Sequence, residues 1–228
     1  MTSEKMYEKL MAYVATRDET ERTFIDKIVK TGSTTGDPGG PCLLADLLIQ
    51  LRADIRDAAN KAAGSDKKRL YTLAKALIKN AKAHSHESIA GAIVQGDDVI
   101  FTDGFRLLFS KDTFGLPDAP DLGRPTFDHV YRCLEEGRTY SKELPLPDAG
   151  QLKAHIADRK AAGDKRRCIM YDFGRGLPAF SAEYLLDFAR AMPGAVIKWD
   201  QKNGATYIKD PESGAEGVLL PVRKKDES

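Results

Sequence analysis

Long apolar runs are missing from this chain: nowhere do the roughly 18 consecutive apolar residues of a membrane-spanning helix occur. The opening residues, Met1-Thr-Ser-Glu-Lys, lack the apolar stretch of a secretory signal. Cysteine is scarce as well. Cys42, Cys133 and Cys168 are odd in number and widely spaced, which gives neither a disulfide framework nor a zinc site and favours a reducing compartment. A cytoplasmic protein with no membrane partner is therefore expected. An excess of charge of one sign is also lacking. With 35 basic against 34 acidic residues and a net charge of +1, any nucleic-acid site has to come from where the cations lie.

Signatures of catalysis are missing too. The chain has no G-x-x-x-x-G-K-[ST] phosphate loop and no Gly-x-Ser-x-Gly elbow, and Gly174-Arg-Gly176 is too short for a dinucleotide fingerprint. Gly36-Asp-Pro-Gly-Gly40 is a linker, and Asp97-Asp98 sits at a hairpin tip, where Asp serves turn geometry. His84-x-His86 has only Glu87 in support of a metal. A non-enzyme with no cofactor and no metal is the expectation.

What is present is enough chain for a real core: 228 residues, 42% hydrophobic. Met6, Tyr7, Leu10, Met11 and Val14 share one helical face within 3–15, and Phe24, Ile25, Ile28 and Val29 share another within 18–30. A third helix starts at Pro41 and lines up Leu43, Leu44, Leu47, Leu48, Leu51 and Ile55. Three such stripes bury themselves against one another or against a partner, so 1–63 is expected to be a helical subdomain and 64–228 a second domain.

Residues 66–82 predict a helix with Leu70, Leu73, Ala74, Leu77, Ile78 and Ala81 on one side. Lys68, Lys75, Lys79 and Lys82, spaced by seven, four and three, share an arc of roughly 60° opposite, flanked by Arg69. Aligned lysines repel one another unless a polyanion compensates, which makes this face a candidate for phosphate. From Ser88 the period changes to two: Ile89–Gln95, Val99–Thr102 and Phe105–Ser110 predict three strands, with Phe105, Leu107 and Phe109 on one face. An insertion at about 111–167 follows. It holds a short helix near Val130, Tyr131 and Leu134, an extended Leu144-Pro-Leu-Pro147, and a helix capped by Asp148 with Leu152 and Ile156. Its end is basic, with Lys153, Arg159, Lys160, Lys165, Arg166 and Arg167 widening the candidate polyanion surface.

Residues 168–223 read strand, helix, strand, strand, strand. Cys168–Phe173 is a strand, and Ser181 caps a helix striped by Tyr184, Leu185, Phe188, Ala189 and Met192, which Pro193-Gly194 stops. Strands at 195–199, 205–209 and 218–222 follow, the last two separated by a turn at 211–217. Helix 181–192 carries Glu183 and Asp187 against Arg190. A helix followed by three strands thus occurs twice, an α+β plan of two halves.

That order of elements, with Phe180-Ser-x-x-Tyr184-Leu-Leu-Asp187, Ala191-Met192 and the closing Leu220-Pro-Val-Arg223, resembles the C-terminal end of bacterial DNA sliding clamps. In the style of Asp103-Gly-Phe-Arg106 and Tyr171-Asp-Phe173 it is also similar to clamp-like proteins of phages and prophages. The resemblance implies two helices side by side on one curved antiparallel sheet, facing double-stranded DNA without reading its sequence. It also implies that Leu220, Pro221, Val222 and Arg223 help form a cleft for peptides of replication or repair proteins, and that enclosing DNA takes a homo-oligomer. The alternative is a protein-interaction module of the same fold that binds a host replication or defence protein and not DNA, its lysines pairing with an acidic protein.

Overall fold

The computed structural model describes residues 2–31, 40–120, 128–166 and 168–223. The expected linker at 36–39 and Arg167 lie outside them. The first three elements are α1 (Ser3–Val14), α2 (Glu19–Thr31) and α3 (Gly40–Ala62). Val14, Ile25, Ile28, Val29, Ala45 and Leu48 form their common core, with Tyr7, Leu10 and Met11 packed against it. The stripes thus bury one another, as amphipathic helices must. Phe24 and Leu47 differ from expectation and stay exposed. Each is one residue, about 100° of helical rotation, away from the line that makes contact, Ile25 in α2 and Leu48 in α3.

Next come α4 (Ser65–Ala83), β1 (Ile93–Gln95), β2 (Asp98–Thr102), β3 (Arg106–Ser110), α5 (Asp128–Thr139), β4 (Lys142–Pro145) and α6 (Ala149–Ala161). The chain finishes with β5 (Met170–Asp172), β6 (Ala179–Ser181), α7 (Ala182–Ala191), β7 (Val196–Trp199), β8 (Thr206–Lys209) and β9 (Glu216–Leu219). Seven strands make one antiparallel sheet in the order β1-β2-β3-β9-β8-β7-β4. The class is α+β. The two halves, α4 with β1–β3 and α7 with β7–β9, meet last strand to last strand, Arg106 opposite Leu219 and Leu108 opposite Gly217.

Successive residues in a strand point to opposite faces, and here both faces are covered. Phe101, Leu108, Ile208 and Leu219 point to one face, where they meet Leu73 and Leu77 of α4, Leu185 and Phe188 of α7, and Leu152 and Ile156 of α6. Their neighbours Ile100, Leu107, Tyr207 and Val218 point to the other, beneath Leu134 of α5. Gly137 lets α5 approach: a Cβ there would lie 2.5 Å from that of Tyr207. The insertion therefore joins the fold rather than hanging from it. Asp148 caps α6 in a reciprocal capping box with Gln151, and β4 extends the sheet beside β7. Pro145 is tolerated because β4 is an edge strand.

Several boundaries differ from the sequence reading. Residues 87–89 form a 3₁₀ turn, and the strand expected from Ile89 begins only at Ile93. Gly91 lies so close to Ala119 that a Cβ would meet its backbone at 2.4 Å, and Ala92 bonds to Pro117 and Ala119 instead of to a strand. Phe105 does not share a face with Leu107 and Phe109, because β3 starts one residue later. Asp103 Oδ1 accepts the N–H groups of both Phe105 and Arg106, which fixes a turn there. The chain also returns as β6 after Gly174–Pro178, pairing with β5 in a separate two-stranded sheet. Finally, β9 takes in Glu216 and Gly217, expected in the turn, and ends at Leu219, before Leu220 to Val222.

Candidate nucleic-acid interface

Ser65 to Ala83 folds as one helix because its apolar residues recur on one side, where Leu73, Ala74, Leu77, Ile78 and Ala81 are buried. Tyr71 is buried with them, whereas Leu70 is only partly covered. The lysines point outward. Lys68, Lys79 and Lys82 are exposed and make no ion pair among the described residues. The other two cations behave differently. Arg69 pairs with Asp66 of its own helix at 2.5 Å, and Lys75 pairs with Asp57 of α3 at 2.8 Å. The face is cationic in sequence, but α3 places a carboxylate on it.

Asp57 is the hub of this junction. It accepts hydrogen bonds from the Tyr71 hydroxyl and from Lys75, and Arg56 is 3.4 Å away. Burial works to raise its pKa, but the bonds from Lys75 and Tyr71 outweigh that and hold it below the ordinary carboxylate value. Lys75 is correspondingly raised, chiefly by its bond to Asp57.

Helix α7 lies between α4 and α6 in the helix layer. Its two acids do not stand free. Asp187 bonds to Arg106 at 2.8 Å and lies 4.0 Å from Arg190, and Glu183 lies 3.9 Å from Lys160 of α6. Arg106 is the residue that sequence reasoning missed. Its side chain is fully buried, bonds to buried Asp103 at 2.9 Å and stacks its guanidinium 4.1 Å over the Tyr184 ring. One side chain thus locks β3 of the first half to α7 of the second. The signal was an arginine inside an apolar strand run, which buries only with a partner.

The basic end of the insertion is partly spent. Asp164 binds both Arg159 and Arg166, at 2.9 and 2.6 Å, and its carboxyl is held far below the usual range, first by the side-chain bond from Arg166. Lys165 is exposed and makes no ion pair among the described residues. Lys160 meets the first turn of α7, and Phe105 stacks between His84 at the end of α4 and Tyr184 in that same first turn. The C-terminal ends of α4 and α6 and the N-terminal end of α7 therefore share one end of the helix layer.

The closing segment leaves the sheet beside this aromatic group. The Leu220 N–H donates to the carbonyl of Phe105 and the Val222 N–H to that of Ala179. Leu220 and Phe105 are both exposed, Pro221 and Val222 are half-buried, and Arg223 is open. His84 and His86 lie 6.1 Å apart ring to ring, and no cluster of three or more His, Cys, Asp or Glu suited to a metal ion occurs among the described residues. Among the described residues, no helix is long and apolar enough to cross a membrane.

No protein-family model matches the chain. No curated protein matches it in sequence either. Solved structures similar to it include the Caulobacter crescentus β sliding clamp, at 16% identity and a TM-score of 0.49 over 69% of this chain and 64% of that one. The DNA polymerase III β subunit of Thermotoga maritima gives 9% identity and a TM-score of 0.48 over 76% and 64%. The Pseudomonas aeruginosa DnaN sliding clamp bound to griselimycin gives 15% and 0.41 over 58% and 56%. The chain thus spans 56–64% of the length of these clamps. The likeness is distant and partial.

Proposed function

We propose that the protein is a non-catalytic DNA-associated module of the sliding-clamp kind, meeting double-stranded DNA through its helix layer without reading sequence. The observation that carries this is the set of exposed lysines on α4, Lys68, Lys79 and Lys82, which make no ion pair among the described residues, beside a second helix whose acids are already compensated. Lys165 and Arg166 lie past the end of α6 and extend the cationic rim, together with Lys75 and Arg69 in their paired state. Phosphate contacts of this kind fix position but carry no base information.

The exposed pair Leu220 and Phe105, continued by Pro221, Val222 and Arg223, is the place for a peptide of a replication or repair protein. Enclosing a duplex with modules of this size takes several of them, as in a homo-oligomer, and β1 and β4, the edge strands of the sheet among the described residues, suit head-to-tail pairing. A tether in the replication of a phage or other mobile element fits this reading. The second reading is a protein-interaction module that binds no DNA, and the Asp57–Lys75 pair favours it, because α3 has already drawn one lysine of the stripe into a protein contact.

Anisotropy of labelled duplex DNA across a salt series, with mass by light scattering in the same buffers, tests the proposal. Binding should weaken steeply with salt, log–log slope about −0.9 per phosphate contact, and flatten when Lys68, Lys79 and Lys82 become Ala. No binding at low salt would leave the protein-interaction reading.

A further inference from the structure

Between the N-terminal helices and the first half lies a cleft of about 430 Å³, walled by α3 on one side and α4 on the other, with residues 115–118 at its floor. That volume is within the range of about 300–1,000 Å³ typical of ligand pockets. Its cations come from both walls: Arg52 and Arg56 of α3, and Lys75, Lys79 and Lys82 of α4. Against these five stand Asp118 in the lining and Asp57 behind it, so the cleft stays cationic after Asp57 has taken up Lys75. Between the charges the surface is aliphatic, from Ile49, Ile78, Leu116 and Pro117.

The walls are tied in place. Asn60 of α3 is buried and donates to the carbonyl of Phe114 at 3.1 Å, while Tyr71 of α4 packs edge-on to the Phe114 ring. Phe114 and Gly115 both adopt left-handed backbone angles, φ 53° and 63°. A non-glycine residue is strained there and persists only where its surroundings enforce it. The floor of the cleft is therefore preset rather than formed on demand.

We infer that this cleft receives an acidic peptide segment of a partner protein, with one or two aliphatic side chains held on Ile49, Ile78 and Leu116 and carboxylates on Arg52, Lys79 and Lys82. The aliphatic lining and the opposed cations choose this occupant. Single-stranded nucleic acids gain affinity by stacking bases on aromatic rings, and no aromatic residue lines the cleft among the described residues. The inference deepens the protein-interaction reading. It also makes the peptide and DNA rivals, because Lys79 and Lys82 would serve both.

The test is fluorescence anisotropy of the full chain with a short labelled peptide of alternating glutamate and leucine. An all-glutamate peptide, a lysine–leucine peptide and a labelled single-stranded oligonucleotide serve as comparison probes. The glutamate–leucine peptide should bind most tightly. Arg52→Glu should weaken it about tenfold or more, the loss expected when one charge-assisted contact turns repulsive. Lys68→Ala, outside the cleft, should leave peptide binding unchanged while weakening duplex DNA, which separates failure of this inference from failure of the DNA reading. Thermal melting checks the fold of each variant, and Lys82→Glu on the opposite wall carries the test if Arg52→Glu does not fold. Absence of peptide binding, equal binding of the all-glutamate peptide, tighter binding of the oligonucleotide that Arg52→Glu abolishes, or indifference to both charge reversals would overturn it.

Discussion

Helix α4 buries six side chains along 19 residues, whereas α7 places six buried side chains within ten. Both helices precede three antiparallel strands, yet α7 is enclosed by α4 and α6, and its strands are extended by β4 and covered by α5. The first half shares α5, whose Leu134 and Tyr131 pack with Ile100, Leu107 and Phe109, but β4 and α6 of the insertion pack against the second half. The insertion therefore covers the second half more completely and leaves the outer face of α4 open. Equal element order gives the two halves the same skeleton. Their neighbours decide which becomes a core and which a surface.

The comparison can be broken most forcefully at the residue that joins the halves. Arg106→Ala should cost about 3–5 kcal/mol in urea unfolding, because it strands buried Asp103 without its cation. A loss below about 1 kcal/mol would mean that the halves are not locked together there. A paired glycine test sharpens the contrast between enclosed and open regions. At Gly217 a Cβ would lie 2.7 Å from the Leu107 carbonyl oxygen and 2.7 Å from the Phe188 ring, so Gly217→Ala should cost about 1–3 kcal/mol. At Gly64, the N-cap of α4, nothing lies within 4 Å, and the same change should cost no more than about 1 kcal/mol, through the poorer cap alone.

A third test uses acid. Burial raises the Glu216 pKa, but bonds from Arg138 and Tyr207 outweigh it, so its folded value is depressed. A depressed carboxylate stabilises the fold above its unfolded pKa of about 4.3, and that contribution is lost as pH falls through the folded value. Glu216→Gln should therefore remove part of the loss of thermal stability seen below about pH 4 and change nothing in its pH dependence between about 6 and 8. Tyr207 beneath it is pushed up to about 12, by burial first and then by Glu216. Its raised value favours the fold below the unfolded pKa of about 10, and that support declines as pH rises toward the folded value.

A similarly small stability effect is expected at α3, beside the open half. Asp57→Asn should cost only about 0–1 kcal/mol, since Lys75 is half exposed. By releasing Lys75 it should tighten DNA binding and steepen the log–log salt slope by about 0.9. An unchanged slope would show that Lys75 does not face phosphate.

Much of this architecture was legible because local and global signals agree. Ser181 and Asp148 cap the helices they were expected to cap, and Phe101, Leu108, Ile197 and Ile208 pack where strand periodicity put their segments. The faces were harder to read. With both sides of the sheet covered, Ile100-Phe101 and Leu107-Leu108 are apolar runs that do not announce which side meets which helix. The candidate site was half legible. The lysine stripe follows from spacing along one helix, but Asp57 comes from another helix and no local pattern points to it. Arg106 was hidden for a related reason: its partners Asp103 and Asp187 are three and 81 residues away.

The most direct measurement is lysine footprinting by limited acetylation and mass spectrometry, with and without saturating duplex DNA. Lys68, Lys79 and Lys82 should lose reactivity when DNA is bound, with Lys198 and Lys209 of the second half's strands unchanged. Unaltered reactivity along α4 with DNA demonstrably bound, or protection confined to the second half, would contradict a DNA-facing α4.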